Sequence, residues 1–180
     1  PLVMKNLGNN LPQLYEQINT TNAIAIKFLK ENGISEDEIS VNEPVVFDKD
    51  AQRYGGNDNS PYRYTVTEVI TVTSSQVEKV NALIKRQAEL LKQGVALSND
   101  YEYQTLYEYT GLNDIKPEMI AEATRNAREA AKKFAEDSES DLGKIKSATQ
   151  GQFSIEDRDA YTPYIKNVRV VTYITYYLED

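Results

Sequence analysis

LNDIKPEMIAEATRNAREAAKKFAEDSESDLGKIKSATQGQFSI, residues 112–155, decides the fold class because its apolar period changes partway along. Ile120, Ala123, Ala127, Ala130 and Phe134 recur at three- and four-residue spacing, the pattern of an amphipathic helix. Pro117 suits a first helical position, so the helix is predicted to start there. Small residues between two large ones let such a helix lie close against a sheet or another helix. Leu142-Gly143 then reads as the break, and Lys144–Ile155 as a strand. A second strand, Ile165–Leu178, follows an acidic loop around Glu156, Asp157, Arg158 and Asp159.

Upstream, Pro1–Lys5 reads as strand. Asn10 with Gln13 makes a helix-starting signal, and Leu14, Ile18, Thr21, Ala25 and Phe28 carry a helix to Asn32, with Gly33 as its cap. Ser35 and Glu38 predict one further helical turn. Val41–Asp48 and Tyr62–Thr73 are predicted strands of a long hairpin, joined by the turn-rich AQRYGGNDNSP. In the second of them Tyr62, Tyr64, Val66, Ile70 and Val72 share one face, and Arg63, Thr65, Thr67 and Thr71 the other. Ser75 and Glu78 open a helix whose apolar positions are Val77, Val80, Ile84, Ala88 and Leu91, and Gly94 ends it.

Val95–Thr110 alternates again and reads as a strand. Drawn straight it would span ~53 Å at ~3.3 Å per residue, so a kink is expected at Asn99-Asp100, or else a ribbon that pairs with another chain. The predicted order is β-α-β-β-α-β-α-β-β. This is an α+β fold, a largely antiparallel sheet with three helices packed on it, and one domain over 1–180. A ferredoxin-like half (1–110) and a βαββ half (95–180) are expected to share the long strand.

Composition narrows the chemistry. Lys and Arg number 20 against 28 Asp and Glu, a net charge of -8, which argues against a nucleic-acid binder. The basic residues Lys79, Lys85, Arg86 and Lys92 read as a solvated helix face. The chain has no Cys, His or Trp, which excludes disulfides, His-based triads and Cys or His metal centres. No apolar run approaches the ~20 residues that span a bilayer. The chain begins at Pro1 without an initiator Met, which leaves room for a targeting or anchoring segment ahead of it.

Three pieces in order resemble the SIMPL-domain family. Phe28-Leu29 followed by Gly33-Ile34 and Glu38-Ile39 looks like its first helix and turn. Tyr64–Val72 and Val77–Leu91 look like its central strand and second helix. Ala123, Ala127, Ala130, Ala135, Leu142, Gly143 and Ile145 look like its Ala-spaced helix and Leu-Gly turn. The resemblance implies an exported, often periplasmic protein, of a kind some of whose members serve in stress defence or form ring- or channel-like oligomers. It supplies no catalytic motif. The Tyr-rich end, with Tyr161, Tyr164, Tyr173, Tyr176 and Tyr177, departs from the family pattern.

The candidate interaction surface is Tyr101, Tyr103, Tyr107 and Tyr109, which an alternating strand would place on one face. Asp48, Asp50, Asn57 and Asp58 gather oxygens, but Arg53 stands where a calcium loop needs Gly, so a plain polar loop is expected. Glu156, Asp157 and Asp159 read as loop charge rather than a hydrolytic pair, and Ser138, Ser140 and Lys144 make no recognisable dyad. We therefore expect a non-enzymatic, extracytoplasmic protein, without cofactor or metal, acting as a homo-oligomer or through an envelope protein partner. The alternative is a module that binds carbohydrate or a small metabolite on the Tyr face.

Overall fold

Strand β1 (Leu2–Gly8) opens the computed structural model, which describes residues 1–51 and 59–179. Asn10 Oδ1 accepts the Gln13 N–H at 3.0 Å and starts α1 (Leu11–Glu31), with Pro12 in its first turn. Leu14, Ile18, Ala25, Phe28 and Leu29 form its buried stripe. Asn32 and the left-handed Gly33 (φ 84°) close it. Glu38 then accepts from both the backbone N–H and the hydroxyl of Ser35, each at 2.9 Å, and holds the short 3-10 turn Glu36–Glu38.

The strand expected over Val41–Asp48 is two strands, β2 (Ile39–Val41) and β3 (Val45–Asp48). Both pair with β4 (Tyr64–Val72), and the ladder slips by one residue between Val41↔Ile70 and Val45↔Thr67. Pro44, which has no N–H to give, sits at that slip. After β4 come α2 (Val77–Arg86) and the four-residue α3 (Ala88–Leu91), two segments of one helical arm interrupted at Gln87. No side chain caps α2, so the Ser75 box is not made: the Ser74 hydroxyl accepts the Gln76 N–H instead. Leu83 and Leu90 are the buried positions of the arm, while Ile84 and Leu91 lie on the exposed side.

The alternation over Val95–Thr110 does not become a long strand. Only β5 (Leu97–Ser98) pairs, antiparallel to Met4 and Val3 of β1. At Asn99-Asp100 the chain turns: Asp100 pairs with Lys5 at 2.7 Å and its carbonyl accepts from Tyr103. The kink falls where expected, but no strand follows it and none is shared onward. Tyr-rich alternation signals a strand only where a partner edge exists, and here the pairing ends at Ser98.

The sheet order β2-β4-β1-β5 is wholly antiparallel between neighbours. β1 and β2 run the same way with β4 between them, the split βαβ of a ferredoxin-like half. The core forms where α1 and the α2–α3 arm cover one face, around Met4, Ala25, Phe28, Ile70 and Leu90. A smaller cluster, Leu14, Ile18 and Val66, lies toward the start of α1.

The chain divides into Pro1–Thr105 and Leu106–Asp180. The second unit holds α4 (Leu112–Asp137), β6 (Asp141–Asp157) and β7 (Lys166–Glu179). Helix α4 starts five residues ahead of Pro117, which lies inside it. Its inward stripe is Met119, Ala123, Ala127, Ala131 and Ala135, while Ile120, Ala130 and Phe134 face outward. The break is at Glu139, left-handed at φ 55°, and Leu142-Gly143 belongs to β6. Across both units the fold is α+β with antiparallel sheets.

Candidate functional site

β6 and β7 pair with each other and, among the described residues, with no other strand. β6 has 17 residues and β7 has 14. The register slips three times, after Leu142, Ile145 and Gln150, and every inserted residue lies on β6. Gly143 and Gly151 sit in two of these bulges. A Cβ on Gly143 would stand 3.0 Å from the Tyr177 carbonyl oxygen, and one on Gly151 2.6 Å from that of Val171. Glycine there permits the close backbone approach that an inserted residue forces. This explains the Leu-Gly step as a strand feature rather than a helix stop.

Lys116 Nζ lies 5.8 Å from the Phe153 ring centre, so the face carrying Phe153 and its partner Val170 is the one α4 covers. The opposite face of β7 presents Arg169, Val171, Tyr173, Thr175 and Tyr177. Tyr173 is 66% exposed and Tyr177 52%. On the outer side of α4, Phe134 is 75% exposed. Throughout the unit, among the described residues, Ala135 is the only side chain that is buried.

The predicted Tyr surface is distributed differently from a strand face. Tyr101 lies fully in solvent in the turn after β5, and Tyr103 is half-buried beside it. Tyr107 and Tyr109 belong to the second unit, on the segment leading into α4. There Tyr107 packs on Tyr164 with ring centres 5.9 Å apart and planes tilted by 59°, and burial pushes its phenol pKa up.

Four of the acidic candidates, Asp48, Asp50, Asp157 and Asp159, have local partners. Arg63 binds Asp48 through Nε and Nη2 at 2.9 and 2.8 Å and reaches Asp50 at 3.3 Å, which holds the Asp48 carboxyl below its usual range. Asn57, Asp58 and Arg53 lie outside the described residues. Asp157 pairs with Lys166. Asp159 accepts from Thr162, Arg158 and the Tyr161 N–H, which lowers it to about 2. At neutral pH it is an ionised turn cap, unable to act as a general acid. The hydroxyls of Ser138 and Ser140 donate to the carbonyls of Ala135 and Ser138, away from nucleophilic duty. Among the described residues no three or more acidic side chains gather as a metal site, and no helix is long and apolar enough to cross a membrane.

Sequence reasoning missed one group. Glu68 is 1% exposed on the apolar face of β4, directly opposite Met4 of β1. Its Oε2, Asn22 Oδ1 and Asn6 Nδ2 are all buried without a hydrogen-bond partner among the described residues. Desolvation raises its pKa, and hydrogen bonding from Asn22 offsets part of that. The signal was present: Glu68 falls between Val66 and Ile70 at the strand period.

These features define an α+β protein made of a ferredoxin-like unit and a long, bulged hairpin backed by one helix. Over residues 2–170 the sequence matches the family SIMPL, described as a protein of unknown function (DUF541), and the chain belongs to it. No curated protein matches the chain.

Proposed function

We propose that this SIMPL protein acts outside the cytoplasm as a self-assembling, non-catalytic component, with the Leu106–Asp180 unit as its assembly surface. The supporting observation is the near-absence of buried side chains among the described residues of that unit: Ala135 of α4 alone, in a unit built of a long helix and a long hairpin. A small unit normally offsets its chain entropy by burying apolar area at roughly 25 cal/mol per Å². Here Phe134, Ile145, Tyr173, Tyr177 and Leu178 remain largely in water. Covering them with a second copy supplies the missing burial. The lack of Cys suits an oxidising compartment.

Light scattering coupled to size exclusion at micromolar concentration tests the assembly. The reading expects a discrete species at a multiple of 20.4 kDa. A monomer at every concentration rules self-assembly out and turns attention to an envelope protein partner or a glycan ligand. Cell fractionation tests the compartment, and recovery with the cytosolic fraction counts against it.

A further inference from the structure

We infer that two copies of this chain join through the outer edge of β7, antiparallel about a two-fold axis near Thr172 and Tyr173, into a four-stranded sheet β6-β7-β7-β6. The inference rests on the self-assembly reading and adds which edge pairs, in which direction, and where the axis lies.

Strand edges are not equivalent on this molecule. In the first unit the sheet ends at β5, two residues long, and on the other side at β2 and β3, short and interrupted at Pro44. Short strands, proline and bulges are devices that blunt an edge against pairing. β6 carries all three inserted residues of its ladder, which break the regular spacing of its backbone groups. β7 has none: its 14 residues run from Lys166 to Glu179 without Gly, Pro or an insertion. Among the described residues it is the one long, regular edge without a strand beyond it.

Charge chooses the direction. β7 is basic at its start, with Lys166 and Arg169, and acidic at its end, with Glu179. Lys166 is held by Asp157 within the hairpin, whereas Arg169 lies on the exposed face. Parallel pairing in register would set Arg169 against Arg169 and Glu179 against Glu179, which is unfavourable. Antiparallel pairing centred on Thr172 or Tyr173 puts Arg169 opposite Thr175 or Tyr177 and toward Glu179 of the other copy. A two-fold perpendicular to the sheet keeps residues of like face together. Val171, Tyr173 and Tyr177 of both copies then lie side by side across the seam on the side away from α4, where cross-strand neighbours shield part of each other, and both α4 helices lie on the other.

Because the chain has no Cys, single nitroxide labels at N167C and T175C, both exposed positions, report distances between copies. At ~3.3 Å per residue the backbone separations are about 33–40 Å for position 167 and about 13–20 Å for position 175. Y173K places two like charges at the axis and is expected to raise the dimer dissociation constant at least tenfold with the thermal midpoint of the monomer unchanged. An assembled particle with both distances beyond 45 Å, or unaffected by Y173K, overturns the β7 edge and leaves self-assembly standing. Two short distances mean parallel pairing and overturn the two-fold. A wild-type monomer removes this inference together with the reading beneath it.

Discussion

Glu68 of β4 and Asn22 of α1 share the buried seam between helix and sheet, where Glu68 Oε2 and Asn22 Oδ1 each lie without a hydrogen-bond partner among the described residues. The core is correspondingly divided: one apolar cluster contains Met4, Ala25 and Ile70, the other Leu14, Ile18 and Val66. An ionised carboxylate in such a seam is costly, and a protonated one supplies a donor that the ionised form lacks.

The pH dependence of Glu68 follows from its raised pKa. Below the unfolded value both states are protonated and the carboxyl costs nothing extra. As pH rises, the unfolded chain releases its proton first, so the folded state loses relative stability until the raised folded pKa is passed. E68Q removes that loss. Its thermal midpoint is expected to match wild type near pH 4 and to exceed it at pH 7–8. A constant offset across the range would show that Glu68 does not titrate differently on folding.

Glu38 has the opposite sign. Hydrogen bonds from Ser74 and Ser35 lower it to about 2 from the model-compound value of 4.5. Its stabilisation is present above the unfolded pKa and is lost as pH falls through that value toward 2. E38Q should therefore be less stable than wild type at pH 7 and converge with it near pH 2, in denaturant titrations at each pH. The exposed setting keeps the effect modest and sensitive to salt.

Much of the fold could be read from the sequence because α1 and β4 each keep one period over most of their length. Leu14, Ile18, Ala25 and Phe28 are the buried positions that a helical reading of α1 picks out. The same logic failed by one position on α4. A stripe ending in Phe134 is more hydrophobic than one ending in Ala135, yet the close approach of helix to hairpin selects the smaller residues. Val95–Thr110 failed for another reason: strand pattern is local, but pairing depends on a partner that no local window contains. Glu68 was overlooked because a charge among Val66, Ile70 and Val72 was passed over as an exception rather than placed on the face its number assigns.

Glu139 adopts φ 55° where α4 ends, and the Ser140 N–H reaches back to the Ala135 carbonyl at 2.9 Å. A side chain in the left-handed region costs about 1–2 kcal/mol relative to glycine, less what glycine loses in unfolded-chain freedom. E139G is expected to raise stability by roughly 0.5–1 kcal/mol, measured by chemical denaturation. A loss of stability would mean that the Glu139 side chain contributes more than its backbone costs.

Gly151 tests the bulged hairpin directly. An added Cβ would lie 2.6 Å from the Val171 carbonyl oxygen, a backbone atom that cannot step aside as a side-chain end can. G151A must therefore spread the two strands at the bulge between Gln150 and Phe153, at a cost of about 1–3 kcal/mol by analogy with overpacked cores. Ala148 lies on the same strand outside that insertion, so A148G is the control for a small change in β6 and should lose less. Hydrogen exchange read residue by residue locates the effect: faster exchange confined to Gln150–Phe153 and Val170–Thr172 is expected for G151A. Because β7 is the strand displaced, the same variant should also weaken any assembly that uses its outer edge. Unchanged exchange at Val170–Thr172 would show that the hairpin absorbs the methyl group elsewhere and that the bulge does not depend on glycine.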